Sequence, residues 1–429
     1  MISLKRVTSS SLVKNSIVYI ITDGVNKSIP FLLLPFLTYY LTPSAYGIVA
    51  NFNVLVQILS VFCYVSTAGT LTVKFYKLDK EGLKAYISNM IFLNAYATIA
   101  CLVIMLVFHR LIYDSLQIDI TFQLLSILLV WFASLTNVNL LLWRCEEQPF
   151  KFGVYQISQT ALNALTTIWF VIILLLGWQG RIYSMFLSTA LFGIISWVIL
   201  YRRGYIAFKQ SRNEMREILF FALPLIPHAL SFWLKSGVDK VLLTEMCGLT
   251  DNGLYSVAMT WGAIVSMFAM SFNNAYVPYL YKKLTIFDKD KEATLSEQRK
   301  VVKMIYASIF FSLFFVGAAY AFSYFFILIV YEPSYHASLS FLPYVMIGQF
   351  FNACYIMFAC FAHYTFKTKG LGAITFSLSL LQVVLSYLFI RICGAIGAAI
   401  SSAVVMALTA VCVSWYGMKI YRLPWLLNK

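Results

Sequence analysis

The segment "KSGVDKVLLTEMCGLTDNGLYSVA" (235–258) lies in the middle of the chain and indicates how the chain is organised. It aligns without gaps with "KSIPFLLLPFLTYYLTPSAYGIVA" (27–50): both begin with Lys-Ser, share Leu-Thr and end with Val-Ala. Further along, "GWQG" (177–180) aligns with "GAIG" (394–397). Each identity is weak alone, because Leu and Val are common in apolar sequences. Their matching order predicts two halves with related folds.

The composition predicts an integral membrane protein. The chain has 429 residues, of which 61% are hydrophobic and 11% are charged, whereas soluble domains carry about 25% charged residues. A bilayer is crossed by about 20 apolar residues in a helix, and twelve such runs occur, at 15–39, 46–68, 85–108, 119–142, 152–176, 182–201, 217–242, 253–280, 302–326, 339–362, 370–390 and 395–417. We therefore expect an all-α polytopic protein with about 12 helices in two six-helix lobes, 1–205 and 206–429, around a central vestibule.

The distribution of positive charge orients the spans. If the N-terminus is cytoplasmic, the outer loops contain only Arg110, Arg181 and Arg391 of the 32 lysines and arginines, and the inner segments contain nearly all the others. This asymmetry follows the positive-inside rule and predicts that both termini are cytoplasmic. The net charge of +15 is then a topology signal and a contact for lipid headgroups, and it does not indicate nucleic-acid binding.

No catalytic or cofactor motif is visible in the sequence. The eight cysteines are scattered, without CxxC pairs or Cys/His metal spacing. No GxxxxGK[ST] motif for ATP occurs. We therefore expect a transporter that is not an enzyme and that binds neither a metal nor a cofactor.

Several charges interrupt the apolar spans. Asp23 and Lys27 are spaced i,i+4, as are Lys235 and Asp239, so each pair would share one face of a continuous helix; Lys240 follows directly. A charge at the centre of the bilayer costs about 2.5–3.5 kcal/mol on insertion scales, so such residues face the interior of a bundle or a hydrated cavity. Two interpretations stay open. The pairs are internal ion pairs that hold helices together, or the lysines bind an anionic substrate in the vestibule.

Amides and prolines add to this pattern. Asn51 and Asn274 occupy corresponding spans of the two halves and are candidate vestibule residues, although hydrogen bonds between helices are a simpler role for them. Pro224 and Pro227 predict a bent or broken seventh span, because proline removes a backbone donor.

Five further segments carry a family resemblance. They are "LTPSAYGIVA" (41–50), "LLWRCEEQPFKFGVYQIS" (141–158), "LLLGWQGRIYS" (174–184), "LPLIPHALSFWLKSGVDKVLL" (223–243) and "GAIGAAISSAV" (394–404). In this order they resemble the Wzx-type O-antigen and polysaccharide flippases of the multidrug/oligosaccharidyl-lipid/polysaccharide exporter superfamily. Arg144 and Glu146 match the family's cytoplasmic loop motif. Gln148 stands where the family often has lysine, so no role of that lysine is carried over.

The resemblance implies a function and a location. The substrate would be an undecaprenyl-pyrophosphate-linked oligosaccharide, such as a repeat unit of O-antigen in lipopolysaccharide or of another surface polysaccharide. It would move from the cytoplasmic to the periplasmic leaflet of a bacterial inner membrane by alternating access, with H⁺ or Na⁺ as a coupling ion and polysaccharide polymerase machinery as a partner. The alternatives are a cation-coupled multidrug exporter of the same superfamily, a membrane polysaccharide polymerase or glycosyltransferase, and a scaffold without transport activity.

The charge asymmetry makes the topology testable. Cysteines introduced at Lys209 and Lys291 should resist a membrane-impermeant thiol reagent in intact cells, because both positions lie in strongly basic inner segments. Labelling after permeabilisation is the positive control. Labelling of either cysteine from outside intact cells would show that the orientation is wrong.

Overall fold

The computed structural model describes residues 9–64, 67–207, 210–289 and 295–425. Across these ranges the chain forms helices and short connections, and no strand is found in them. The helices are α1 Ser9–Tyr40, α2 Pro43–Cys63, α3 Thr67–Phe75, α4 Lys80–Val107, α5 His109–Leu116, α6 Ile120–Cys145, α7 Pro149–Thr167, α8 Gly177–Arg202, α9 Arg212–Ala222, α10 Ile226–Ser236, α11 Val238–Met246, α12 Leu249–Lys289, α13 Leu295–Val330, α14 Leu342–Tyr364, α15 Thr368–Cys393 and α16 Ile396–Ile420.

Short turns of other helix types join some of these helices. A π-helical turn, Ile168–Ile173, continues α7. Single 3₁₀ segments, Leu223–Leu225 and Pro333–Ser340, precede α10 and α14.

The described helices confirm an all-α polytopic membrane protein. Ten of them, with α7 extended to Ile173, are long and apolar enough to cross a bilayer, and each overlaps one of the predicted spans. A bent pair, Arg212–Leu225 with Ala229–Met246, raises the number in the described residues to eleven if it is one span. The expected number of twelve is not confirmed. The 32-residue α1 is not among the ten, and several of its side chains lie outside the part that the structure describes.

The chain divides into two compact units, Met1–Leu230 and Ser231–Lys429. In the first unit α6 packs against α2, α4 and α8, while α1 packs along α7. In the second unit α14 packs against α12, α13 and α16, and α15 lies against α11 and α16. The expected lobes 1–205 and 206–429 stay a prediction.

Hydrogen bonds and an ion pair join the connection after α8, and helix α9, to the rest of the first unit. The side chain of Asn89 in α4 donates to Glu214 Oε2 at 2.7 Å and accepts from the Ser211 backbone N–H at 2.8 Å. Lys74 of α3 forms an ion pair with Glu217 of α9 at 2.5 Å, and this charge-assisted hydrogen bond raises the pKa of Lys74. Helix α9 therefore packs as part of the first unit.

A glycine allows α6 and α8 to approach closely. A Cβ atom on Gly193 of α8 would lie 2.6 Å from Cβ and 2.9 Å from Cα of Phe132 in α6. Helix pairs in membranes commonly use small residues in this way, because close van der Waals packing replaces the missing hydrophobic driving force.

Substitution of this glycine should destabilise the first unit. Gly193→Ala forces α6 and α8 apart, and overpacking of this kind typically costs about 1–3 kcal/mol. We expect a lower melting temperature of the purified protein in detergent. Gly317→Ala in α13 is the matched control, because no heavy atom of the described residues lies within 4 Å of its added Cβ. A melting temperature of Gly193→Ala at or above that of the control would contradict the packing argument.

Candidate functional site: a buried carboxylate next to a helix break

The seventh predicted span is interrupted twice. It bends by 41° between Leu225 and Ala229; Pro227 lies in this break and Pro224 directly precedes it, and this confirms the predicted bend. It breaks again at Gly237, which separates α10 from α11. This second break was not predicted.

The break at Gly237 has a local cause. A Cβ atom at this position would lie 2.9 Å from Nε1 and 3.1 Å from the carbonyl oxygen of Trp233, so the chain can follow this path only without a side chain. The Gly237 N–H donates to the Trp233 carbonyl at 2.7 Å, and the Gly237 carbonyl accepts from the N–H groups of Lys240 and Val241 at 3.1 and 3.3 Å. Backbone hydrogen bonding therefore continues across the break, as it must within a membrane.

Asp239 lies directly after the break and is 1% exposed. The hydroxyls of Ser386 and Ser402 donate to its two carboxylate oxygens at 2.5 and 2.6 Å. Nε2 of Gln382 donates to both oxygens at 3.0 and 3.2 Å, and the Tyr255 hydroxyl donates at 3.2 Å. These donors lie on α12, α15 and α16, so one carboxylate on α11 joins four helices of the second unit.

All of these donors are electrically neutral. The three ion pairs among the described residues are Lys74–Glu217, Lys84–Glu81 and Arg203–Glu146, and none of them involves Asp239. The interpretation of Lys235 and Asp239 as an internal ion pair is therefore wrong for this structure. The four-residue spacing does not produce an ion pair here, because the carboxylate is held by neutral donors from other helices.

Lys235 and Lys240 differ from Asp239 in their burial and in their contacts. Lys235 and Lys240 are each partly buried, and neither forms an ion pair with the part of the chain that the structure describes. The corresponding side chains of Asp23 and Lys27 in the first half lie outside the described residues. Substrate binding by these lysines stays a prediction.

The other candidate residues lie in separate surroundings. Asn51 is fully buried and its amide donates to the Leu116 carbonyl at 2.7 Å, which is a contact between helices. Asn274 is exposed on α12. Their roles in binding a substrate stay predictions.

The cytoplasmic-face motif is joined to its surroundings by charge. Arg144 is exposed, with its guanidinium 5.2 Å from the centroid of the Phe152 ring. Glu146 forms an ion pair with Arg203, and that guanidinium also lies 4.9 Å from the centroid of the Tyr205 ring. The motif thus links the α6–α7 turn to the connection after α8.

Sequence reasoning missed the donors to Asp239. Gln382 and Ser386 are spaced i,i+4 in an apolar span, and Ser402 follows Ser401 in "GAIGAAISSAV". This spacing was a usable signal, because polar residues on one face of a membrane helix usually meet a partner. That the partner is Asp239, more than 140 residues away along the chain, can be seen only in the fold.

A family model described as "Polysaccharide biosynthesis protein" matches residues 12–283. The chain belongs to this family. One relative is "Lsg locus putative protein 1" of Haemophilus influenzae (strain ATCC 51907 / DSM 11121 / KW20 / Rd). It is 27% identical to this chain over 296 residues, which are 67% of this chain and 69% of that protein. An "Uncharacterized membrane protein" of the same strain is 28% identical over 284 residues, 64% of this chain and 66% of that protein.

Two solved structures have a similar fold. "Lipid II flippase MurJ, inward closed conformation" matches with a TM-score of 0.70 at 13% identity, over 94% of this chain and 87% of that chain. An inward-facing multidrug resistance MATE family transporter of the MOP superfamily matches with a TM-score of 0.68 at 16% identity, over 94% and 98%. At these identities the likeness concerns the fold alone. The family match confirms the resemblance to proteins of polysaccharide biosynthesis, and the likeness in fold agrees with it.

The contact between Asp239 and Gln382 makes an isosteric change informative. Asp239→Asn keeps the size of the side chain but turns an amide NH₂ toward Gln382 Nε2, which donates to both carboxylate oxygens and cannot accept, so a buried hydrogen bond is lost. We expect a loss of about 1–3 kcal/mol, seen as a lower melting temperature in detergent. Asp114→Asn is the matched control, because Asp114 is exposed. Equal melting temperatures for the two variants would contradict the hydrogen-bonding scheme.

Proposed function

We propose that this protein is a flippase that carries an undecaprenyl-pyrophosphate-linked oligosaccharide from the cytoplasmic to the periplasmic leaflet of a bacterial inner membrane by alternating access. The family match supports a role in polysaccharide biosynthesis, and the fold is one found in transporters. The observation that carries the proposal is that Lys235 and Lys240 both lie in Ala229–Met246, the second member of a bent helix pair of membrane-spanning composition, and form no ion pair with the described residues.

The chemistry of such a substrate explains what these lysines do. A lipid-linked glycan has an apolar tail that stays in the bilayer, a polar sugar and an anionic pyrophosphate. The barrier to unassisted flipping is the desolvation of the sugar and the pyrophosphate. The ammonium groups of Lys235 and Lys240, which form no ion pair with the described residues, offset part of that cost for the pyrophosphate. Moving negative charge outward across an inside-negative membrane is also favourable, by about 2.3 kcal/mol per charge per 100 mV.

Asp239 is suited to couple transport to an ion. Its carboxylate is surrounded by hydroxyls and an amide, and a hydroxyl can turn from donor to acceptor when a proton or Na⁺ arrives. A carboxylate already neutralised by lysine would have little affinity for either ion. We propose that H⁺ or Na⁺ binds here in one state of the transport cycle.

A cation-coupled multidrug exporter is the second candidate. The buried Asp239 favours it, since carboxylates attract cations, and so does the likeness in fold to a multidrug transporter. Export of a cationic drug gains nothing from two lysines without ion-pair partners, whereas an anionic headgroup does. Deletion of the gene separates the two functions. A flippase deletion abolishes surface glycan and leaves lipid-linked oligosaccharide in the inner leaflet, while an exporter deletion lowers drug tolerance and leaves the glycan intact.

Substitution of Lys235, which precedes the break at Gly237, tests the proposed flippase activity directly. Lys235→Ala should reduce export of surface glycan about tenfold or more, because a charged contact to the substrate is lost. Lys235→Arg should retain part of the activity. Export is measured as labelled surface polysaccharide, normalised to the amount of protein in the membrane. Lys27→Ala is the equivalent change in the first half, and Lys282→Ala, at an exposed lysine of α12, is the control.

The double variant Lys235→Ala/Asp239→Asn distinguishes substrate binding from charge balance. We expect it to be no more active than Lys235→Ala, because the two side chains form no ion pair in the structure. Recovery of export in the double variant would show that Lys235 only neutralises Asp239, and the proposed contact with the substrate would then be wrong.

A further inference from the structure

Arg181 is a cation in a membrane-spanning helix of the first unit. The sequence predicted that it lies in an outer loop, but it belongs to the start of α8, a helix of 26 residues that is among the ten candidate spans. Its side chain is partly buried. A charge in such a position normally has a partner or a function.

One nitrogen of the guanidinium makes all of the observed hydrogen bonds. Nη1 donates to Asn163 Oδ1 and Thr167 Oγ1, both at 2.8 Å, and to Ser184 Oγ at 3.3 Å. The acceptors are fastened to one another, since the hydroxyls of Thr167 and Ser184 lie 2.7 Å apart and Asn163 Nδ2 donates to Ser188 at 3.0 Å. The shell is built by α7 and α8 and is electrically neutral.

The opposite edge of the guanidinium has no hydrogen-bond partner among the described residues, and the Tyr46 side chain of α2 lies close enough to interact electrostatically with the guanidinium. Within residues 9–64, 67–207, 210–289 and 295–425, no carboxylate forms an ion pair with Arg181, and no acceptor is found for its Nε or Nη2. The Nε/Nη2 edge presents two parallel N–H groups, the arrangement that binds phosphate or carboxylate through two hydrogen bonds.

Two features of the backbone agree with a functional role. The π-helical turn Ile168–Ile173 follows directly after Thr167, and such turns in membrane or soluble helices are frequent at functional sites. α8 also begins at Gly177, so the positive end of its dipole adds to the positive potential around Arg181.

We propose that Arg181 binds an anionic group of the transported lipid through its Nε/Nη2 edge. This rests on the proposed function, which supplies a phosphate-bearing substrate. The ligand chemistry is a phosphate or carboxylate oxygen pair, and it has two sources in a lipid-linked glycan: the pyrophosphate of the carrier, or an acidic sugar. The neutral shell orients the guanidinium without cancelling its charge.

Binding to the purified protein in lipid nanodiscs tests the site. The probes are undecaprenyl pyrophosphate, undecaprenyl phosphate, undecaprenol and glucuronic acid, and the readouts are the dissociation constant and the ligand-induced shift in melting temperature. The wild-type protein should bind undecaprenyl pyrophosphate about tenfold or more tightly than undecaprenol. Arg181→Gln should remove this difference. A response to glucuronic acid alone that the same variant removes would also support the site, with the glycan as the source of the anion.

A second variant keeps the arginine and protects the test against misfolding. Asn163→Asp places a carboxylate where Nη1 already has an acceptor at 2.8 Å, so it supplies the missing counter-ion. We expect a melting temperature at or above that of the wild type without ligand, together with loss of the preference for the anionic probe. A role of Arg181 in packing alone would leave probe binding unchanged in this variant.

A control variant and two outcomes test the Arg181 site independently of the proposed function. Arg391→Gln removes the same charge from an exposed position in α15 and should leave binding unchanged. Wild-type binding of the anionic probes by both Arg181→Gln and Asn163→Asp would overturn the site, as would absence of anion binding by the wild type. The proposed function fails by a different measurement, if a deletion strain still exports its surface glycan.

Discussion

The carboxylate of Asp239 can be buried in a membrane protein only because three neighbouring helices supply its hydrogen bonds. Hydrocarbon offers no donors, and an ionised group without partners costs several kcal/mol to hold there. Donors from α12, α15 and α16 meet this requirement together. The same constraint acts on the backbone at Gly237, where hydrogen bonds continue across the break. The helices of the second unit therefore pack so that its buried polar groups find hydrogen-bond partners within the protein.

Much of the fold could be predicted because a bilayer places few requirements on the sequence of a helix that spans it. Length and apolarity are sufficient to span it, so the predicted runs overlap the observed helices closely. The bend near Pro224 and Pro227 was predicted because proline lacks a backbone donor. The break at Gly237 was not, because glycine is tolerated inside membrane helices and only the fold shows that Trp233 leaves no room for a side chain here. A local sequence signal does not contain a contact of that kind.

The candidate site was predicted only in part. The sequence identified Asp239 and its neighbouring lysines as unusual, since charges in apolar runs are rare. It suggested Lys235 as the partner of Asp239 because residues four apart share a face in an unbroken helix. The actual donors lie on other helices, and neutral Ser and Gln side chains are too common in such sequences to be assigned to one carboxylate. Arg181 was placed in a loop for a related reason: its charge cut short the predicted span 182–201.

Neutral shells distinguish Arg181 and Asp239 from ordinary ion pairs. Among the described residues, the side chains of Arg181 in the first unit and Asp239 in the second form hydrogen bonds with hydroxyls and amides and no ion pair. A salt bridge would cancel the charge and would have to break, at considerable cost, before an ion or an anionic ligand could bind. Hydroxyls and amides lower the cost of burial and leave the charge available, and hydroxyls reorient by rotation about one bond. A protein that must bind and release a charged group in every cycle requires this combination, whereas a purely structural pair does not.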